Sequence, residues 1–195
     1  LMLSSNQAMR KPARQAMVDP LTARLWLMRT LFVGLALLSI FMHLLPLETI
    51  PSSWAPPDLI MALTFAWAMR RPEYVPAISV AAVVLLADFL FQRPPGLQAA
   101  LMVIASEILR TRAMANRDMP YLVEWASVAG MMIAVAAALR VLMAMFFIPA
   151  PSLSLVLIQL AMSITLYPIV VLVSHVLFSV RRAAPGEVDA LGHRL

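Results

Sequence analysis

The chain has 195 residues, of which 62% are hydrophobic and only 13% charged, with a mean hydropathy of +0.86. Water-soluble domains run nearer half apolar and a quarter charged, so this composition excludes an ordinary soluble enzyme and points to lipid as the solvent. There are no cysteines, which removes disulfides, thiolate metal sites and cysteine nucleophiles; the formal charge of +5 leaves nucleic acid open until the placement of the charges is considered.

Residues 1–24 are polar and carry Arg10, Lys11, Arg14 and Arg24, as expected of a flexible basic cytoplasmic tail. The first apolar run covers about 25–47 and is long enough for an uncleaved span rather than a signal peptide. The loop 48–57 is rich in proline and serine and has no basic residue. The second run extends from about Pro57 to Met69 and ends at Arg70-Arg71-Pro72-Glu73; the third covers about Tyr74 to Phe91. Gln92-Arg93-Pro94-Pro95-Gly96 reads as a tight turn. The fourth run covers about Leu97 to Leu109, and a basic loop from Arg110 to Pro120 precedes the fifth, about Tyr121 to Ile148. Pro149-Ala150-Pro151 turns the chain into the sixth, about Leu153 to Val180, in which Pro168 is expected to make a kink. The tail from Arg181 to Leu195 is polar.

The second and fourth runs are short enough to be re-entrant, so charge arbitrates. With six spans and both termini inside, every Lys and Arg except Arg93 and Arg140 falls on the cytoplasmic side. A four-span arrangement misplaces Arg70 and Arg71. The expected fold is therefore all-α, an inner-membrane bundle of about six transmembrane helices over 25–180, between cytoplasmic tails at 1–24 and 181–195. The basic residues act as topology signals, and no basic stripe with aromatic platforms suggests nucleic acid.

Ionisable groups within spans are functional candidates by default: Asp58, Asp88, Glu107, Glu124, Arg140, His43 and His175. They fall into two belts. Asp58, Asp88 and Arg140 lie towards the outer side, and Glu107 and Glu124 near the inner helix ends beside Arg110 and Arg112. A nearly uncharged midplane argues against a proton or ion carrier. Asp88 and Arg140 are expected to pair across helices, and Glu107 and Glu124 to pair with nearby arginines; contact with a partner or ligand is the alternative. His43 and His175 sit at opposite sides and cannot share a metal, and His193 lies in the tail. No H-E-x-x-H, glycine-rich phosphate loop or G-x-S-x-G occurs, so no catalytic, metal or cofactor site is expected.

Ala126, Gly130, Ala134 and Ala138 recur every four residues and draw a small-residue groove along one helix face. Ala62 and Ala66, and Ala77 and Ala81, repeat the spacing. Packing inside the bundle explains such a groove, and a partner helix is the alternative. The methionines are scattered and suit gap filling.

Two segments carry a family resemblance. One is Pro56-Pro57-Asp58-Leu59-Ile60-Met61-Ala62-Leu63 continuing to Trp67-Ala68-Met69-Arg70-Arg71-Pro72-Glu73. The other is Leu85-Leu86-Ala87-Asp88-Phe89-Leu90 followed by Pro94-Pro95-Gly96-Leu97-Gln98-Ala99-Ala100. Together they resemble the rod shape-determining protein MreD family in its alphaproteobacterial form. The resemblance implies a six-helix fold similar to the substrate-binding subunits of energy-coupling-factor transporters. It also implies a non-catalytic scaffold in the cell-elongation, peptidoglycan-synthesising machinery. The implied partners are an MreC-like periplasmic scaffold, an MreB-like cytoskeleton, and the membrane wall synthase and transpeptidase. A small-molecule binding or transport subunit is the competing expectation, and a polar pocket opening outward would favour it.

Overall fold

The computed structural model describes residues 10–45, 55–115, 120–178 and 180. These form six helices and no strand among the described residues: α1 (Arg10–Leu44), α2 (Leu59–Arg70), α3 (Ala77–Leu90), α4 (Leu97–Ala115), α5 (Tyr121–Met145) and α6 (Leu153–Phe178). A 3₁₀ turn, Pro72–Tyr74, links α2 to α3. The all-helical architecture follows the sequence expectation. The membrane assignment rests on three helical stretches long and apolar enough to cross a bilayer: Thr22–Leu44, Tyr121–Met145 and Leu153–Phe178.

The burial pattern is that of a bundle in lipid. Phe147 is 94% exposed and Ile78 79%, and Leu122, Met145, Val176 and Leu177 also face outward. Inside lie Asp88, Glu124, Thr64, Gln98, Ser106, Ser163 and Ser174 among the apolar core. Lipid tails reward apolar side chains outside as well as water would penalise them, while polar groups find partners only within the protein.

Helix α2 is the axis of the bundle. Every residue from Ile60 to Met69 is buried, and α1, α4, α5 and α6 all pack against it. Twelve residues rise only about 18 Å, too short to cross a hydrocarbon core of about 30 Å. The short run reflects position, since a helix enclosed by others meets no lipid and need not match the bilayer. Its ridge of Ala62 and Ala66 lets neighbours approach, and Trp67 fills the centre against Phe32, Tyr74 and Phe178 with ring centroids 5.9, 6.3 and 6.1 Å away.

Two boundaries differ from the sequence reading. Helix α1 begins at Arg10, so much of the expected flexible tail is helical. Helix α4 runs to Ala115, and the expected basic loop from Arg110 is helical to that point. Loss of apolar character marks where a helix leaves lipid, not where its hydrogen bonds stop; arginine and alanine are both good helix formers. Helix α6 continues through Pro168. The expected tail 181–195 lies outside the described residues.

Candidate functional site: two polar ends of the bundle

Consecutive helices alternate in direction, so the polar groups gather at two ends. The turn Pro72–Tyr74 marks one end, and the α3–α4 turn marks the other.

At the Pro72–Tyr74 end, Glu124 is 1% exposed in the first turn of α5. It accepts from Arg70 Nε at 3.1 Å and Nη2 at 3.4 Å, and from the Tyr167 hydroxyl at 2.9 Å. Three helices, α2, α5 and α6, thus meet on one carboxylate. The carboxylate also sits at a helix N-terminus, where backbone N–H groups favour negative charge. Arg110 donates through Nη2 to the carbonyls of Pro72 at 3.2 Å and Val75 at 2.7 Å, tying α4 to the α2–α3 connection. Arg29 Nε donates to the Glu73 carbonyl at 3.0 Å, which adds α1. Trp67 Nε1 donates to Ser174 Oγ at 3.0 Å. Glu107 forms an ion pair with Arg110 at 3.3 Å, as its position suggested. Glu124 also pairs with an arginine, Arg70 of α2.

At the other end, Asp58 caps α2. Its Oδ1 accepts from the Met61 amide at 2.9 Å, and its own amide donates to Ser163 Oγ of α6 at 2.8 Å. Its Oδ2 accepts from Gln98 Nε2 at 3.3 Å, and Gln98 Oε1 accepts from Arg93 Nη1 at 2.6 Å. The guanidinium of Arg93 also lies 5.1 Å above the Phe91 ring, and His43 packs against that ring at a tilt, with centroids 4.5 Å apart. These groups surround a cavity of about 490 Å³ between the end of α1, the start of α2, the end of α3 and the start of α4. Ile60, Met61, Val84, Ala87 and Met102 form its apolar wall. The size lies within the range of about 300–1,000 Å³ typical of small-molecule sites.

The expected Asp88–Arg140 pair is corrected by the structure. Asp88 is fully buried in the last turn of α3, and its Oδ2 accepts from the amides of Gly96 at 3.0 Å and Ala99 at 3.4 Å. It is the N-terminal cap of α4, supplied from the preceding helix. Arg140 instead donates to the Pro151 carbonyl at 3.0 Å, on the exposed side of the α5–α6 turn. The signal was present in the sequence: Pro94-Pro95-Gly96 opens a helix with no Ser, Thr, Asp or Asn to cap it, and an aspartate stands eight residues before Gly96. Gly96 itself takes a left-handed φ of 84°, which lets the turn close under that carboxylate. Nothing local in the sequence marks Arg93, in a turn, and Gln98, in a helix, as linked to Asp58.

The small-residue groove faces outward. Ala126, Gly130 and Ala134 are exposed and Ala138 is half-buried, and a Cβ placed at Gly130 would meet nothing within 4 Å. Internal packing, the simpler expectation, therefore does not account for it. By contrast Ala62 and Ala66 are buried, and Ala77 and Ala81 are half-buried. Among the described residues no group of three or more His, Asp or Glu could hold a metal ion. His43 and His175 lie on α1 and α6, at opposite ends of the bundle.

No protein-family model, curated protein or solved structure matches the chain.

Proposed function

We propose that this protein is a non-catalytic inner-membrane scaffold of the bacterial cell-elongation machinery, crossing the membrane six times with both termini inside. In this reading it docks a transmembrane helix of an MreC-like partner and links it to the cytoskeleton and wall synthases. The observation that supports docking is the outward-facing Ala126–Gly130–Ala134 stripe, open at Gly130. In lipid, helices associate by close packing, and missing side-chain volume is what permits it. The resemblance of 56–110 to the MreD family supplies the partner class.

The test is Gly130→Leu. The variant should accumulate normally, since the space is open, while cells round up and recovery of the MreC-like partner in mild detergent falls. Normal shape with undiminished partner recovery would overturn the docking face. The topology is tested separately with single cysteines in this cysteine-free chain. An impermeant thiol reagent added to spheroplasts should label Gln92→Cys and spare Arg71→Cys.

The cavity beside Asp58 supports a second reading, a subunit that binds or transports a small molecule and shares the energy-coupling-factor fold. A depleted strain that keeps its rod shape but loses uptake of a nutrient would favour it over the scaffold.

A further inference from the structure

We propose that the cavity beside Asp58 binds a small amphiphile with an anionic head, a carboxylate or a phosphate monoester, and an apolar body. This rests on the binding reading of the cavity and narrows it to one ligand class.

Three charged or titratable side chains face the space: Asp58, Arg93 and His43. Asp58 is already engaged, since Oδ1 caps α2 and Oδ2 accepts from Gln98. Arg93 is not. Its Nη1 donates to Gln98, and its other donors have no protein partner among the described residues. A guanidinium has five N–H donors in a planar fork that matches carboxylate and phosphate oxygens. The Gln98 amide fixes that fork, because its oxygen takes Arg93 while its nitrogen is held by Asp58. The Phe91 ring supports the guanidinium from one side. The cation is therefore positioned by the protein, and among the described residues no carboxylate contacts it directly. A positioned donor with unused capacity in a half-buried site is what an anionic head requires. His43 at the rim can donate or accept, and accommodates either head. Below Arg93 the wall changes to Met61, Met102, Val84 and Ala87, with no charge, which suits an apolar body. The methionines can adjust to its shape.

The probes are hexanoate and hexyl phosphate as free anions, dihexanoyl phosphatidic acid as a lipid, and hexanol and hexyltrimethylammonium as neutral and cationic counterparts. Thermal unfolding of the full chain in nanodiscs should show stabilisation by the anionic probes only. At about a hundredfold excess over Kd the rise should be roughly 5–10 °C. A Gln159→Cys probe on the cavity wall of this cysteine-free chain gives a second measurement. Bound anion should slow its alkylation by N-ethylmaleimide at least about tenfold, and Arg93→Gln should abolish that protection. The protection series in the chain with Arg93 intact decides the matter if Arg93→Gln fails to fold. Stabilisation by the phosphatidic acid alone identifies a lipid ligand, and stabilisation by the free anions identifies a soluble one. Equal effects from hexanol or hexyltrimethylammonium overturn the anionic class while leaving a binding cavity. No effect from any probe overturns both the class and the binding reading.

Discussion

The two ends of this bundle are built from the same kinds of residue and differ in what those residues tie together. At the Pro72–Tyr74 end, Glu124 collects Arg70 and Tyr167, Arg110 holds two carbonyls, and Arg29 holds a third. At the Asp58 end the contacts form a chain, Asp58 to Gln98 to Arg93, that finishes at the edge of a cavity. Among the described residues each end keeps buried polar atoms without a hydrogen bond, Asp88 Oδ1 at this one and Glu107 Oε1 and Arg110 Nε at the other. The first arrangement ties α1, α2, α4, α5 and α6 together at one end. The second joins the starts of α2 and α4 to α6 and to the α3–α4 turn, and leaves a cavity beside them. A bundle tied across five helices at one end resists splaying there, while a cavity lies at the other.

The largest expected effect tests the Pro72–Tyr74 end. Glu124→Ala leaves Arg70, with its side chain only 14% exposed, facing an empty site and removes the acceptor of Tyr167. Breaking a buried pair from one side costs about 3–5 kcal/mol. A large drop in unfolding temperature and folded yield should follow, and Glu124→Gln, which keeps an acceptor, should lose less. If Glu124→Ala unfolds like the parent, the network does not tie that end together.

A smaller effect is expected at the Asp58 end. Asp88→Ala removes the cap of α4 and should cost about 1–2 kcal/mol, as other N-cap truncations do. Asp88→Asn keeps an acceptor for the Gly96 and Ala99 amides and should recover much of the loss, measured by thermal unfolding in detergent. Equal losses for the two variants would mean that the charge, rather than the cap, matters.

The smallest effect belongs to Arg140. Arg140→Gln gives up one exposed bond to the Pro151 carbonyl and should change stability by less than about 1 kcal/mol. Combined with Asp88→Asn, the two changes should add within about 0.5 kcal/mol, because the groups share no partner. A larger coupling would restore the ion pair that the sequence suggested.

The difference between those two aspartates shows what is readable from sequence. Asp58 lies immediately before the apolar residues of α2, and in the structure it caps that helix. Asp88 lies one turn from a helix end, where a charge suggests an ion pair across the membrane. Its actual partners are amides beyond the turn, reached only because Gly96 brings the start of α4 beneath it. Likewise the spacing of Ala126, Gly130 and Ala134 was visible, but the side of α5 that faces inward was not. Helix α5 is apolar all round, so periodicity carries no direction.

The sequence by itself determined that this is a helical membrane protein, where the six helices among the described residues fall, and which ends carry charge. Apolar run length, proline turns and basic residues are local properties, and lipid selects on them directly. Only the tertiary structure decided that α2 is the axis, that Glu124 meets Arg70, and that Gln98 joins Asp58 to Arg93 at a cavity. Those contacts link residues 54 and 40 positions apart in Glu124–Arg70 and Gln98–Asp58. In lipid there is no amphipathic pattern to announce which face of a helix its neighbours will cover, so such partners emerge only when the helices pack.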